Sequence, residues 1–134
     1  MELVGNVLVI TGMMNVQPGR IVKAQEELVT VAVGNKYLVA LAPISPAEQV
    51  YVCIRSEEVV LEKGNSTVAS PRNRLAGIIS SLIPEGPLVR VALDCGFTLH
   101  ALVTRAACIE LDLREGDAIT ALVKAPSVHL IARS

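Results

Sequence analysis

The polar residues that could bind a ligand lie in three short stretches of the sequence. Residues 70–73 (Ser-Pro-Arg-Asn) open the second half of the chain, while Thr104 and Lys124 each follow an apolar segment. A tetrahedral dianion accepts hydrogen bonds and donates none, so its site needs N–H and O–H donors together with one or two cations. Such groups are supplied by Ser70, Arg72, Thr104 and Lys124. They predict a local oxyanion site, although a solvated turn and an ordinary surface lysine would explain the same residue types.

No catalytic or metal-binding set of side chains can be assembled from the sequence. Cys53, Cys95 and Cys108 are far apart and form no C-x-x-C pair, which indicates core thiols. His100 and His129 alternate with apolar neighbours, which is typical of outward-facing positions on strands. Because nucleophile–base pairs, paired carboxylates and metal-ligand clusters are missing, we expect a protein that is not an enzyme and holds no metal or cofactor.

The charge balance and the scarcity of aromatic residues argue against a nucleic-acid-binding surface. The chain has 12 basic and 13 acidic residues, and only two tyrosines and one phenylalanine. Single-stranded nucleic acid binds to stacking rings in a basic groove, which this composition does not provide. The sequence also lacks an apolar run of the roughly 18 residues that a membrane span needs, and its start lacks the basic region of a signal peptide. We expect a cytoplasmic protein with no direct membrane insertion and no nucleic-acid partner.

The segments between glycines and prolines are short and rich in branched side chains, as in an all-β protein. Apolar and polar residues alternate in segments 29–33, 50–54 and 89–93, a pattern typical of half-buried strands. The one helix that we predict begins after Thr104, a suitable N-cap residue, and ends near Leu111.

The two halves of the chain carry the same signals in the same order. The matching segments, first half before second, are 15–19 and 73–77, 28–33 and 88–93, and 52–61 and 121–130. Short β units commonly close as OB-like barrels, because closure removes exposed strand edges. We therefore expect an all-β fold of two tandem OB-like barrels, with one short helix in the second. The expected organisation is an N-terminal segment at 1–11, a first repeat at 12–61, a linker at 62–69 and a second repeat at 70–134.

The motifs of the second half resemble the Mop/TOBE family of molybdate- and tungstate-binding domains. They are Ser-Pro-Arg-Asn-Arg-Leu-Ala-Gly at 70–77, Leu-His-Ala-Leu-Val-Thr at 99–104, Leu-Asp-Leu-Arg-Glu-Gly at 111–116 and Leu-Val-Lys-Ala-Pro-Ser-Val at 122–128. The first half is similar more loosely, through residues 15–19 and 54–61. The resemblance implies OB-like units with swapped or interlocked strands, which hold the oxyanion between subunits or between repeats.

Carried onto matching positions, the resemblance also implies a set of oxyanion ligands. These are Ser70, Arg72, Asn73, Thr104, Lys124 and the backbone of Ala125. Two departures remove possible donors: Pro71 replaces the motif's alanine and lacks an N–H, and Ala107 stands where the family often has a second hydroxyl. In the first repeat, residues 12–15 contain neither the serine nor the arginine, and Arg55 takes the place of Lys124. We expect the second repeat to dominate binding, with molybdenum or tungsten present only as the oxyanion.

Three functions remain open under this resemblance. The regulatory tail of a molybdate/tungstate ABC importer ATPase is favoured by the apolar residues 7–10 ahead of the first repeat. A stand-alone molbindin-type storage protein is favoured by the lack of a Walker A loop in the sequence. A ligand-free TOBE dimerisation module is the third. We prefer the importer tail, and expect a homodimer or higher oligomer that contacts an ABC ATPase domain and its permease, and is membrane-associated only through that complex.

Overall fold

Most of the described chain is β-strand, so the predicted all-β class is confirmed. The computed structural model describes residues 2–4, 7–9, 14–41, 48–64 and 73–133. The strands are β1 (Glu2–Val4), β2 (Val7–Val9), β3 (Met14–Gln25), β4 (Leu28–Val33), β5 (Lys36–Leu41), β6 (Gln49–Arg55), β7 (Val60–Glu62), β8 (Asn73–Glu85), β9 (Leu88–Asp94), β10 (Thr98–Thr104), β11 (Ala118–Val123) and β12 (His129–Ala132). Two 3₁₀ turns follow β6 and β11, the first at Ser56–Glu58 and the second at Ala125–Ser127.

The predicted helix is present in the second repeat, where the sequence signal for its start is a single hydroxyl. Helix α1 spans Arg105–Glu110, and its N-cap is Thr104. The Thr104 hydroxyl oxygen accepts a hydrogen bond from the Ala107 N–H at 3.0 Å. This bond satisfies one of the N–H groups that the first turn of a helix leaves without an intrahelical partner.

Ten of the described strands form two five-stranded antiparallel sheets that are interlocked, and β1 pairs with β2 in a separate two-stranded antiparallel sheet. The order across the first sheet is β12-β6-β3-β4-β5, and across the second it is β10-β9-β8-β11-β7. Each sheet therefore takes four strands from one repeat and its fifth strand, which lies at one edge, from the other repeat. This exchange agrees with the swapped strands that the family resemblance implies. The boundaries 12–61 and 70–134 describe the sequence repeats, and stay a prediction for the folded units.

Two long segments cross between the sheets side by side. One consists of β6, the first 3₁₀ turn and β7, and the other of β11, the second 3₁₀ turn and β12. Both ladders between them belong to one antiparallel register. Val60 lies opposite Leu122, and Cys53, seven residues before Val60, lies opposite His129, seven residues after Leu122. The two 3₁₀ turns interrupt the segments at the same level. Each segment leaves one sheet and enters the other at its turn.

The long strands β3 and β8 bend at equivalent places. Their ladders with β4 and β9 shift register between Ile21 and Lys23 in one repeat and between Ile79 and Ser81 in the other. A bulge of this kind increases strand twist and allows a small sheet to curl around its own core. Just before the second bulge, a Cβ on Gly77 would lie 2.7 Å from the Asp94 carbonyl oxygen, which explains the glycine there.

The core consists of branched and small apolar side chains from both sheets. Alternate residues of the central strands are buried, as in β4 and β9, and they form one cluster. Cys53 and Cys95 are buried and Cys108 is half-buried, so the first two are the core thiols expected from the sequence. Burial raises the pKa of the Cys53 and Cys95 thiols. Thiols of this kind are poor nucleophiles at neutral pH.

The first prediction concerns the two-residue loop between β3 and β4. Glu26 has φ +58°, whereas the corresponding hairpin of the second repeat has Gly86 at φ +62°. A left-handed conformation costs an ordinary residue about 1–2 kcal/mol, and glycine removes this cost. The larger entropy of glycine in the unfolded state offsets part of that gain. Glu26→Gly should therefore raise the free energy of unfolding by about 0.5–1 kcal/mol in urea titrations. Glu27→Gly, in the same loop but without positive φ, is the control and should not stabilise; equal gains from both would contradict the explanation.

Candidate functional site

Asn73, which the resemblance places among the oxyanion ligands, is buried and joins the two sheets. Its side-chain oxygen accepts a hydrogen bond from the Val39 N–H at 2.7 Å. Its amide nitrogen donates to the Val39 carbonyl at 2.9 Å and to the Val123 carbonyl at 3.1 Å. Both amide hydrogens are thus used, which leaves the side chain no donor for an anion. Asn73 holds edge strand β5 of the first sheet against the end of β11 in the second.

Asn15 does the same from the other repeat. Its amide nitrogen donates to the Ile54 carbonyl at 3.1 Å and to the His100 carbonyl at 2.9 Å. Its oxygen accepts from the His100 N–H at 2.8 Å. The two asparagines therefore form a symmetric pair of clamps, each of which binds the outer side of the opposite sheet's edge strand. The first repeat keeps Asn15 although it lacks the serine and arginine of the motif. This is the sequence signal that could have indicated a structural role for the asparagine.

Lys124 and Ala125 lie where the second crossing segment leaves its strand. Lys124 directly follows β11, is exposed, and forms no ion pair with any described carboxylate. Ala125 is buried, and its carbonyl accepts a hydrogen bond from the Val128 N–H at 3.1 Å. Because Asn73 pairs with Val123, the chain enters β8 beside Lys124. Ser70 and Arg72, the other expected cation and hydroxyl, lie outside the described residues.

Thr104 is not brought to Lys124 within one chain. Thr104 pairs with Leu88, which pairs with Glu85 at the far end of β8. Lys124, by contrast, adjoins the opposite end of that strand, at Asn73. Nearly the whole length of β8 thus separates the two candidate ligands. The hydroxyl of Thr104 accepts from its own helix, and its hydrogen has no acceptor among the described residues.

A groove of about 260 Å³ lies between the two 3₁₀ turns. It is lined by Glu58, Val60, Leu122, Lys124 and Ser127. One carboxylate oxygen of Glu58 is buried and has no hydrogen-bond partner among the described residues. Sequence reasoning missed this carboxylate, because Glu58 and Lys124 come from different repeats and no local pattern relates them.

The corresponding turn of the first repeat is less suited to an anion. Where the second repeat has Lys-Ala-Pro-Ser at 124–127, the first has Arg-Ser-Glu-Glu at 55–58. Arg55 is paired with Glu57 at 3.8 Å across an exposed surface. A carboxylate paired with the cation competes with any external anion, and Lys124 forms no such pair with a described carboxylate. That the second repeat dominates binding stays a prediction.

Two other classes of feature are missing from the described residues. No group of three or more histidine, cysteine, aspartate or glutamate side chains among them is arranged to hold a metal ion. Within the same part of the chain, no helix is long and apolar enough to cross a membrane. His129 is exposed and His100 is half-buried, and burial followed by the charge of Arg90 lowers the pKa of His100.

Comparison with known proteins agrees with the fold. Residues 69–130 match the family model described as the TOBE domain. This part of the chain is therefore similar to TOBE domains. The matched residues include Asn73, helix α1, the 3₁₀ turn after Lys124 and the first residues of β12.

Relatives of known name extend the match beyond the TOBE domain. The chain is 33% identical over 89 residues to the molybdate/tungstate import ATP-binding protein WtpC of Pyrococcus abyssi, covering 66% of this chain and 26% of that protein. It is 31% identical over 104 residues to the molybdenum import ATP-binding protein ModC of Rhizobium etli, covering 75% of this chain and 29% of that protein. The chain therefore spans little more than a quarter of these relatives' length.

A solved structure shares the interlocked fold. The cytoplasmic molybdate-binding protein ModG, solved with molybdate bound, superimposes with a TM-score of 0.78 over 89% of this chain and 96% of its own. The sequences are 24% identical, so the likeness establishes the fold. The expectation of OB-like units related to the TOBE domain is confirmed.

The second prediction tests the asparagine clamps. Asn73→Asp keeps the shape but removes both donors, and it places a negative oxygen against the Val39 and Val123 carbonyls. We expect the free energy of unfolding to fall by at least about 2 kcal/mol, because buried polar groups lose their partners. Asn15→Asp should cost a similar amount. The control is Gln17→Ala, which removes an exposed 3.4 Å hydrogen bond to the Thr98 carbonyl and should cost less than about 1 kcal/mol. Losses of equal size in all three variants would refute the clamp.

Proposed function

We propose that this chain binds molybdate or tungstate through its TOBE domain, as the regulatory tail of an ABC importer ATPase. The observation that carries the proposal is an unpaired Lys124 beside the start of β8, in a domain whose named relatives are molybdate and tungstate import ATP-binding proteins. An ammonium group without a carboxylate partner is available for a charge-assisted hydrogen bond to an oxyanion. Binding in this position would report the cytoplasmic oxyanion concentration to an ATPase domain and its permease.

The proposed ligand set combines direct donors with one positioning residue. The direct donors are Ser70, Arg72, Thr104, Lys124 and the N–H of Ala125. Asn73 acts through the backbone, since its amide is used on Val39 and Val123 and so fixes the strand ends from which Lys124 and the Ser70–Arg72 stretch extend. Such a site binds and does not transform its ligand, so we propose a binding module without catalytic activity or cofactor. That the chain binds no nucleic acid stays a prediction.

The separation of Thr104 from Lys124 supports a site shared between subunits. Within one chain the two residues lie at opposite ends of β8. A second copy that places its α1 beside the Lys124 turn would supply the missing hydroxyl. We therefore propose a homodimer or higher oligomer in the cytoplasm, where association with the membrane comes only through a transporter complex.

A second candidate function is a stand-alone molbindin-type storage protein. The overlap with ModG, which covers 96% of that chain, favours it. A ligand-free TOBE dimerisation module is the remaining alternative, favoured by the loss of the Pro71 N–H as a donor. Titration separates the last alternative from the other two, because only a binding module gives a saturable isotherm.

The third prediction is that Lys124→Met weakens oxyanion binding. Calorimetric titration of the parent with molybdate or tungstate should give saturable binding, with sulfate weaker. Loss of one charge-assisted hydrogen bond should weaken molybdate binding about ten- to a hundredfold, equivalent to roughly 1.5–3 kcal/mol. Lys23→Met, which removes the same charge from an exposed position of β3, should leave the affinity unchanged. If Lys124→Met binds as tightly as the parent, the assignment of Lys124 is wrong; if the parent binds no oxyanion, the ligand-free module is correct.

The fourth prediction is that a defective Thr104 and a defective Lys124 on different chains complement each other. Thr104→Val and Lys124→Met should each lose most molybdate binding, whereas Thr104→Ser should retain it together with the helix N-cap. A refolded mixture of the Val and Met variants contains mixed oligomers, in which one interface pairs an intact Lys124 with an intact Thr104. The mixture should therefore regain part of the molybdate-binding capacity, measured by calorimetric titration. Sedimentation of the same samples shows whether mixed oligomers have formed. No recovery in mixed oligomers, or a parent that sediments as a monomer with oxyanion bound, would contradict the shared site.

A further inference from the structure

The groove between the two 3₁₀ turns places a carboxylate opposite the proposed anion-binding lysine. In the ladder between β7 and β11, Val60 lies opposite Leu122. Glu58 comes two residues before Val60 and Lys124 two residues after Leu122, so an extension of the same register would bring Glu58 opposite Lys124. All four side chains line the groove. The register of the crossing segments, and not the local sequence, thus sets the acidic residue against the basic one.

The two charged groups do not form an ion pair with each other. No ion pair within 4.0 Å joins Glu58 to any described cation, and none joins Lys124 to any described carboxylate. One oxygen of Glu58 is shielded from solvent without a hydrogen-bond partner among the described residues. The walls contributed by Val60 and Leu122 are apolar, which strengthens the influence of each charge on a molecule in the groove.

We propose that Glu58 is a specificity-determining residue of this groove, which disfavours fully deprotonated dianions relative to oxyanions that keep a proton. The proposal rests on the proposed function, and in particular on Lys124 as an anion ligand. A deprotonated tetrahedral dianion offers only acceptor oxygens, so one that contacts Lys124 is repelled by the Glu58 carboxylate. An oxyanion with an O–H group can donate it to that carboxylate while another oxygen accepts from Lys124.

Ser127 lines the groove on the lysine side and takes no part in the selection. Its hydroxyl both donates and accepts, so it suits either kind of oxyanion and does not discriminate between them. In the internal repeat, Ser127 corresponds to Glu58 itself. The two turns have therefore diverged at equivalent positions into a neutral and a charged residue that face one groove.

The test compares inorganic phosphate, which keeps at least one proton at pH 7, with molybdate, which keeps none. Glu58→Gln preserves size and replaces the charged acceptor by a neutral amide. We expect molybdate to bind about tenfold more tightly to the variant than to the parent, and phosphate to bind no more tightly. The ratio of the phosphate dissociation constant to the molybdate dissociation constant should therefore rise about tenfold or more. Glu57→Gln removes the same charge from the adjacent residue, which is paired with Arg55 and does not line the groove, and should leave the ratio unchanged.

Each outcome decides between the inference and the function on which it rests. If molybdate binds in a Lys124-dependent way but Glu58→Gln leaves the ratio at the parent value, the role of Glu58 is wrong and the oxyanion site stands. If neither the parent nor Glu58→Gln binds either anion, the oxyanion site itself is wrong. An equal rise of the ratio in Glu57→Gln would show a general charge effect and overturn the specific role. Glu58→Ser, which copies the residue of the other repeat, should raise the ratio as much as Glu58→Gln does. Thermal unfolding of both variants shows that each is folded, and the second variant keeps the test valid if the first fails to fold.

Discussion

The pair of asparagine clamps is the constraint on which the arrangement of the two sheets depends. A sheet ends in a row of unpaired N–H and C=O groups, and each of these sheets has such an edge, at β5 and at β10. Asn15 and Asn73 each bind one N–H and one C=O of the edge strand in the opposite sheet. Each also binds one carbonyl near the end of a strand in its own sheet. Because one amide makes both bonds to the opposite sheet and a third to its own, a displacement of one sheet against the other would break the two crossing bonds together. The clamp therefore fixes position as well as contributing stability.

The position of the candidate site follows from this constraint. Asn73 binds Val123, and Lys124 is the next residue along the chain. Its backbone is held at the point where the second crossing segment leaves β11, while its side chain remains exposed. A site built in this way keeps its cation in register with the start of β8 without using that cation for stability. Asn73 and Lys124 thus divide their roles, because hydrogen bonds hold the strand ends while the Lys124 side chain stays exposed.

The local features of the fold could be predicted from the sequence, whereas its long-range pairings could not. Alternation in residues 29–33 and 89–93 predicted strands, and Thr104 predicted the start of α1, because each depends on neighbours along the chain. The repeat was visible for the same reason. The exchange of β7 and β12 depends on register between segments some 60 to 80 residues apart, as in the pairing of Leu61 with Ala121 and of Cys53 with His129. Periodicity specifies which face of a strand is buried, and it does not specify the partner strand.

The same limit explains why the role of Asn73 and the presence of Glu58 escaped the sequence. A motif read residue by residue treats Ser70, Arg72 and Asn73 as one group, although the asparagine serves the fold. The internal repeat provides the distinction, since the first half keeps Asn15 and its clamp but has lost the serine and arginine and has paired Arg55 with Glu57. Structure is thus retained in both repeats, and the free cation in the described turns is retained only in the second. Because the crossing segments bring the two turns together, the acidic turn of the first repeat becomes part of the surroundings of Lys124. The first repeat, whose residues 12–15 contain neither serine nor arginine, thus contributes a carboxylate to the groove that Lys124 lines.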